Sequence, residues 1–353
     1  MYAYADVSPP LMRRYSVPLA PMATQRTQID PGMIDLKVLD PKAAEPKVID
    51  LKKTTDARRL FELEQLEVKF EPEIGALWTF MRPRGRASYN PDLLEDFHAW
   101  QRGIAAWFED RADQLKYLLL GSRTPGVFNL GGDLNLFADR IRERDRAALV
   151  AYGESCVRIL DRNMATLGLP MITIGLAQGD ALGGGFESLL SFNIIIAEKQ
   201  AKFGFPEVLF GLFPGMGAYS LVSRRCGAAF AEEMMLSGKT YTADEMKQAG
   251  LIHMVVETRQ GVEAARDYMV RNKRRHNGNR AVFQAGHIVN PVPLAELDRV
   301  VQVWADACLQ LSDRDLKVMQ RLVAAQDRLN GSVQAAPPIA PEAGAPSAVQ
   351  AAE

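Results

Sequence analysis

A chain of 353 residues can bury a full hydrophobic core, and a composition of 47% hydrophobic and 24% charged residues is that of an ordinary globular protein. The 42 basic and 43 acidic residues leave a net charge of -1, so bulk charge predicts neither nucleic-acid binding nor attraction to an anionic membrane. The three cysteines fit neither a disulfide framework nor a zinc site. No stretch is apolar for long enough to cross a bilayer or to act as a secretion signal, so we expect a cytoplasmic protein without membrane insertion.

The N-terminal region, residues 1–66, is rich in proline and has no sustained apolar period, which indicates an arm that is partly disordered. Ordered structure is predicted from about Val68 onward. Two apolar runs, broken by Pro72 and Gly75, indicate a pair of strands that ends near Met81.

An amphipathic helix follows this strand pair. Asn90 and Pro91 form a typical helix start, and apolar residues recur from there at helical spacing as far as Phe108. The pattern then repeats, because residues 116–122 and 170–179 contain short apolar runs that alternate with further amphipathic segments. Short strands buried on both sides and interleaved with helices predict a layered α/β core.

The C-terminal part is predicted to be mostly helical. Thr242 and Glu245 form the pattern of a capping box, and a short apolar run at residues 251–257 indicates one last strand. A helical section is expected over residues 257–330. Residues 331–353 are rich in alanine and proline and almost uncharged, so they are expected to form a flexible tail.

Two glycine turns are the first feature that indicates chemistry. Gly183, Gly184 and Gly185 stand between a predicted strand and a predicted helix, where they leave backbone N–H groups free to point at a ligand oxygen. The alternative is a tight turn with close helix packing, and the run is not a nucleotide phosphate loop. A second glycine turn, at residues 128–134, also follows a strand. Together the two turns could supply one N–H each to a single carbonyl oxygen, as in an oxyanion hole.

Two glutamates accompany these turns. Glu187 lies in the first turn of the helix that follows the three glycines, and Glu207 follows Pro206 just before an apolar run. Apolar surroundings raise the pKa of a carboxyl group, which suits it to exchange protons near neutral pH. The alternative is that both are helix-start glutamates stabilised by the helix dipole. Their combination with two glycine turns favours a catalytic pair.

Four segments, FNLGGDL, ALGGGFE, AKFGFPEVLFGLFPGMGA and LSGKTYTADEMKQAGLIHMVV, resemble the crotonase (enoyl-CoA hydratase/isomerase) superfamily in order and spacing. The resemblance covers about Val68 to Val256. It implies an α/β fold, a spiral of ββα units, with a core at residues 67–256 followed by a C-terminal helical trimerisation section. It also implies a homo-trimer or a hexamer.

The same resemblance implies roles for individual residues. Backbone N–H groups of Leu130 and Gly184 would form the oxyanion hole, and Glu187 and Glu207 would be the catalytic acid/base pair. Neither a cofactor nor a metal is implied.

Within the superfamily the chain looks most like the bacterial diffusible-signal-factor synthases, on the segments SRTPGVFNLGGDL, GGGFESLLSFNIIIAE and FPEVLFGLFPGMGAYS. This implies dehydration of a medium- or long-chain 3-hydroxyacyl thioester on acyl carrier protein to a cis-2-enoyl thioester. Thioester hydrolysis would then release a fatty acid quorum-sensing signal, and a sensor kinase would be a further partner. The alternatives are a conventional enoyl-CoA hydratase without thioesterase activity and a catalytically silent scaffold that binds protein or RNA.

Candidates for the substrate pocket follow from this reading, although each is also compatible with the plain core. An apolar acyl chain needs a deep apolar pocket. The apolar candidates are Phe186, Leu189, Phe210, Leu212, Met216 and Met235. Arg82, Arg84 and Arg86 lie in a loop that could contact the phosphate groups of the substrate or acidic side chains of a carrier protein, and the alternative is a solvated basic loop.

Overall fold

The computed structural model describes residues 49–50 and 61–334, so most of the predicted arm and tail lie outside the described residues. The strands in this part of the chain are β1 (Ile49–Asp50), β2 (Leu66–Glu71), β3 (Ala76–Met81), β4 (Tyr117–Ser122), β5 (Val127–Asn129), β6 (Ile172–Ala177), β7 (Asp180–Leu182), β8 (Ile194–Glu198), β9 (Lys202–Gly204), β10 (Thr240–Thr242) and β11 (Met254–Val256).

The helices of the same part are α1 (Pro91–Phe108), α2 (Leu134–Arg142), α3 (Arg146–Met164), α4 (Gly184–Leu190), α5 (Ala218–Cys226), α6 (Ala228–Ser237), α7 (Ala243–Gln248), α8 (Gly261–Asn272), α9 (His276–Val289), α10 (Leu294–Cys308) and α11 (Asp313–Gln334). Short 3₁₀ turns occupy Glu109–Gln114, Thr166–Gly168, Pro206–Phe210 and Lys273–Arg275. Helices α8 to α11 confirm the predicted helical C-terminal section.

The strands form two sheets. The larger has the order β1-β2-β3-β4-β6-β8-β11, and the smaller has the order β10-β9-β7-β5. From β3 to β11 the neighbours in the larger sheet are parallel, and every residue of β3, β4, β6 and β8 is buried. Consecutive strands alternate between the sheets in the pairs β4/β5, β6/β7 and β8/β9, and helices follow the first two pairs. The predicted α/β spiral of ββα units is confirmed.

Apolar side chains cover both faces of the larger sheet, because successive residues of a strand point to opposite sides. In β4, Leu118 and Leu120 join a large cluster with residues of α1 and α3. Tyr117 and Leu119 join a smaller cluster on the other face, which α8 covers. The larger sheet is therefore buried on both sides, whereas the two glycine turns follow β5 and β7 of the smaller sheet.

The predicted helix signals are confirmed locally. The Asn90 side chain caps α1 by accepting a hydrogen bond from the Leu93 N–H at 2.8 Å. Thr242 and Glu245 form the reciprocal bonds of a capping box at the start of α7. Such caps satisfy N–H groups that a helix cannot pair within itself.

Ordered structure extends beyond the predicted limits at both ends. Strand β1 pairs with β2, and Phe61 and Leu63 are buried in the larger cluster, so part of the predicted arm packs on the core. Helix α11 runs four residues into the predicted tail, to Gln334. Within residues 49–50 and 61–334 no helix is long and apolar enough to cross a bilayer, and no three His, Cys, Asp or Glu side chains are grouped to hold a metal ion.

Candidate active site

The first element of the site is the turn between β7 and α4, where glycine is required by close contacts. Gly183 has φ +53°, and a Cβ there would overlap Oε1 of Glu207. A Cβ on Gly185 would overlap the backbone oxygen of Asn129. These glycines let the start of α4 lie directly against both the second glycine turn and a catalytic candidate.

The second element is the turn after β5, which touches the first. Gly131 has φ +94°, and a Cβ on it would stand 2.9 Å from the Gly184 nitrogen. The Tyr89 N–H donates to the Gly131 carbonyl at 2.8 Å, which holds the turn from the other side. The two glycine turns are therefore adjacent, as two donors to one oxygen require.

The prediction that the Leu130 N–H is an oxyanion donor is wrong. That N–H donates to the Ala87 carbonyl at 2.7 Å, and the Gly131 N–H donates to Oδ1 of Asn129 at 2.8 Å. Among the described residues no hydrogen bond uses the N–H of Gly132 or of Gly184. Both of these glycines, like Leu130, line the same cavity. The free donor of the second turn is thus two residues further along the chain than predicted.

Glu187 is held rigidly in the interior. Its side chain is 1% exposed, and Oε1 accepts hydrogen bonds from the N–H groups of Met216 at 2.7 Å and Ala218 at 2.9 Å. Burial raises the pKa of Glu187 to about 7, although the two N–H bonds act in the opposite direction by stabilising the carboxylate. The group can therefore change its protonation state near neutral pH.

Glu207 lies on the 3₁₀ turn Pro206–Phe210 and faces the same cavity. Its Oε2 is buried and has no hydrogen-bond partner in the part of the chain that the structure describes. Burial, and secondly the negative charge of Glu187, raise the pKa of Glu207 to about 8. This influence of one carboxylate on the other indicates that the two groups titrate as a pair.

The cavity that both glutamates face has a volume of about 240 Å³ and is mostly apolar. Of the six apolar candidates, Phe210, Leu212 and Met216 line it. The remaining lining residues include Phe137 from α2, Tyr152 from α3, Trp304 from α10, and Leu322 and Ala325 from α11. Sequence reasoning missed these five because their helices reach the cavity only through tertiary packing. Two glycines give a local signal: a Cβ on Gly132 would overlap the Phe137 ring, and a Cβ on Gly215 would overlap the Trp304 ring.

The other three apolar candidates are core residues and do not line the cavity. Phe186 packs on Phe203 and Phe205 with ring centroids 5.1 and 5.3 Å apart, and Leu189 and Met235 lie in the large apolar cluster. The reason is helical geometry: at 3.6 residues per turn, a helix that presents Glu187 to the cavity turns its positions 186 and 189 to other sides.

The predicted arginine loop lies at the edge of the site without lining the cavity. Arg82 and Arg84 are exposed and form ion pairs with Glu67 at 3.9 Å and Glu64 at 2.8 Å, whereas Arg86 is half-buried. Two of the residues that follow them, Ala87 and Tyr89, bond to the second glycine turn. A role for these arginines in binding phosphate or a carrier protein stays a prediction.

The chain matches a family of known proteins. Residues 77–290 match the family model for enoyl-CoA hydratase/isomerase. The chain belongs to that family. Methylglutaconyl-CoA hydratase of Mus musculus is 32% identical over 205 residues, which cover 56% of this chain and 63% of that protein. Short-chain-enoyl-CoA hydratase of Clostridium acetobutylicum is 26% identical over 256 residues, 72% of this chain and 92% of that protein.

The family's fold is also seen in solved structures. DspI of Pseudomonas aeruginosa superposes with a TM-score of 0.54 at 23% identity, covering 64% of this chain and 81% of that one. At this identity the similarity concerns the fold alone. The chain spans 51–63% of the length of the mammalian methylglutaconyl-CoA hydratases that it matches.

Proposed function

We propose that this protein interconverts 3-hydroxyacyl and 2-enoyl thioesters by removing or adding water. One observation carries the proposal: two buried carboxyl groups with pKa values near neutrality face the same apolar cavity as two unengaged glycine N–H groups. That set contains a general acid, a general base and an oxyanion site, which are the groups this reaction needs.

The oxyanion site would act on the thioester carbonyl. With its oxygen between the N–H groups of Gly132 and Gly184, the carbonyl can accept the negative charge that develops when the C2 position is protonated or deprotonated. Gly184 lies at the N-terminus of α4, where the partial positive charge of the helix adds to the effect. The site stabilises an enolate more than the neutral thioester, so it lowers the barrier to proton transfer at C2.

The surroundings of the two glutamates assign their roles. The N–H groups of Met216 and Ala218 stabilise the ionised form of Glu187, and the charge of Glu187 favours the protonated form of Glu207. In the hydration direction Glu187 takes a proton from water as the water oxygen bonds to C3, and Glu207 gives its proton to C2. In the dehydration direction Glu207 removes the C2 proton, and Glu187 protonates the departing 3-hydroxyl. No cofactor is needed for either direction.

The finer proposal is that the chain is a signal synthase of the diffusible-signal-factor type. Its substrate would be a medium- or long-chain 3-hydroxyacyl group on acyl carrier protein, and its product a free cis-2-unsaturated acid. The motifs that resemble those synthases and the apolar cavity support it. Release of the acid requires water to attack the thioester carbon, and Gly132 and Gly184 could stabilise the tetrahedral intermediate as the carrier thiol leaves.

The alternative is a hydratase that acts on CoA thioesters without hydrolysing them, and the hydratases among the relatives support it. A silent scaffold is the weakest alternative, because it would not need two buried, destabilised carboxyl groups. A cytoplasmic homo-trimer or hexamer and a sensor-kinase partner are further proposals. The exposed apolar residues Val282, Ile288 and Val289 of α9 support self-assembly.

The test compares thioester carriers directly. Purified protein is incubated with 3-hydroxyacyl chains of matched length on acyl carrier protein and on CoA, and products are identified by mass spectrometry with cis/trans resolution. Free cis-2-enoic acid from the carrier-protein substrate is the expected result. Formation of trans-2-enoyl-CoA alone would contradict the signal-synthase proposal and leave the hydratase. No turnover of either thioester would overturn the proposed function.

A further inference from the structure

Tyr89 is the residue that connects the two glycine turns, and it does not line the catalytic cavity described above. Its side chain is 3% exposed. Its backbone N–H donates to the Gly131 carbonyl at 2.8 Å, and its backbone carbonyl accepts from the Tyr152 hydroxyl at 2.6 Å. Through its backbone, Tyr89 therefore holds the turn that carries the Gly132 donor.

The side chain of Tyr89 reaches the other turn. Its hydroxyl lies 2.5 Å from Oγ of Ser188 in α4, and that Oγ donates its own proton to the Gly185 carbonyl at 2.9 Å. Because the serine has only one hydroxyl proton, the tyrosine must be the donor between the two hydroxyls. This series of hydrogen bonds, from Tyr89 through Ser188 to Gly185, ends at the residue that follows the Gly184 donor.

We propose that Tyr89 is a positioning residue that fixes the spacing of the two oxyanion donors. Its backbone sets the position of the Gly132 N–H, and its hydroxyl sets that of the Gly184 N–H. The inference rests on the proposed function, since it assigns Gly132 and Gly184 to one thioester oxygen.

The reason for such a connection is the precision that the donors require. Oxyanion donors act at 2.7–3.1 Å from the oxygen, and a misplacement of about 1 Å can reduce a rate by about 10²-fold. The two donors here belong to turns that are distant in sequence. Parallel pairing of β5 with β7 brings the turns together, but its last register pair, Asn129 with Ala181, lies three residues before each donor, so this pairing does not by itself fix the separation of the donors. Burial also raises the pKa of the Tyr89 hydroxyl, so it remains a protonated donor across the working pH range.

The direct test is Tyr89→Phe, which removes the bond to Ser188 and keeps the backbone bonds to Gly131 and Tyr152. We expect kcat on the preferred thioester to fall about tenfold, with KM within about twofold, because donor spacing acts mainly on the transition state. Ser188→Ala should give a similar loss, and the double variant should lose no more than either single one.

Tyr117→Phe is the matched control. Tyr117 is also a buried tyrosine, and its hydroxyl has no hydrogen-bond partner among the described residues. It lies in β4, away from both turns. This variant should retain the wild-type kcat. An equal loss in Tyr117→Phe and Tyr89→Phe would show a general packing effect and overturn the proposal.

A second measurement tests the positioning role of Tyr89 without depending on the proposed thioester activity. Amide hydrogen exchange is followed without substrate at Leu130 and Tyr89 for one turn, and at Phe186 and Glu187 for the other, since each of these N–H groups has a backbone acceptor. Tyr89→Phe should accelerate exchange at both turns several-fold more than Tyr117→Phe does. Unchanged exchange, or a change at one turn only, would overturn the connecting role even if the protein turned over no thioester.

Discussion

Glu187 and Glu207 face one cavity but belong to very different surroundings. Glu187 lies on α4, where all seven residues are buried, and two backbone N–H groups bind its Oε1. Glu207 lies on a five-residue 3₁₀ turn in which only Phe210 is buried as a whole residue, and its own buried Oε2 has no partner in the described residues. One carboxylate is held by N–H groups of two other residues, and the other keeps one oxygen without a partner in the described residues.

The difference explains why the pair has two separate pKa values. Burial raises the pKa of both groups. The N–H groups of two other residues favour the ionised form of Glu187, whereas Glu207 has only its own backbone N–H, and the charge of Glu187 raises the pKa of Glu207 further. The fold thereby favours the ionised form of Glu187, a base, and the protonated form of Glu207, an acid.

The largest expected effect comes from removing either carboxyl group. Glu187→Gln and Glu207→Gln should each lower kcat by about 10³-fold on the preferred thioester, because each glutamate exchanges a proton in the reaction. The double variant should be little worse than either single variant, since the two act as a unit. Steady-state kinetics check this, and full turnover in both single variants would contradict the acid/base assignment.

The same substitution at Glu187 should stabilise the fold at high pH. A folded-state pKa of about 7, against an ordinary value of 4.5 for a free glutamate, means that stability is lost as pH rises from about 4.5 to 7 and stays lost above. Glu187→Gln removes this loss and keeps an acceptor oxygen for Met216 and Ala218. We expect a gain of about 2–3 kcal/mol at pH 8 and none near pH 4.5. Urea unfolding at both pH values measures it, and equal gains would contradict the titration.

The next prediction concerns the space that Glu207 occupies. Gly183→Ala places a Cβ where Oε1 of Glu207 now lies, and it also strains a backbone with φ +53°. We expect kcat to fall about 10²-fold because the carboxyl group must move. Gly250→Ala is the control, since Gly250 has φ +84° and nothing within 4 Å of its Cβ position. Comparable loss of kcat in the control would attribute the effect to backbone strain alone.

Much of the fold and the glutamate pair could be predicted from the sequence, because the signals for them are local. Periodicity indicated the strands and helices, and the glycine run beside Glu187 and the proline before Glu207 marked both segments. The donor of the second turn could not be predicted, because only a distant carbonyl, that of Ala87, determines that the Leu130 N–H is engaged.

The residues that line the cavity could be predicted only in part, because some of them come from distant helices. Phe210, Leu212 and Met216 line the cavity because they belong to the same loop region as Glu207. Trp304 belongs to a helix whose position depends on the packing of the whole C-terminal section, and no local pattern encodes that.

A further prediction concerns the pH dependence of catalysis by the two glutamates. Activity in the hydration direction needs Glu187 ionised and Glu207 protonated, so kcat/KM should rise toward about pH 7 and fall above about pH 8. The two apparent pKa values in this profile belong to the pair of glutamates jointly. Below about pH 7 and above about pH 8, each further pH unit should lower kcat/KM by up to tenfold. A profile that stays flat from pH 6 to 9 would show that the two carboxyl groups do not exchange the reacting protons.

The smallest expected effect tests whether the 3₁₀ turn itself tunes Glu207. The turn ends at Gly211, which has φ +77°, and a Cβ there would lie 3.2 Å from Leu311 and 3.5 Å from Asp315 at the start of α11. Gly211→Ala should therefore destabilise the fold by about 1 kcal/mol through backbone strain. Because this Cβ points toward α11 and away from the carboxyl group, kcat should change less than twofold. Thermal unfolding and kinetics on one preparation measure both quantities. A loss of kcat as large as that of Gly183→Ala would mean that the geometry of the turn, and not the space beside Gly183, positions Glu207.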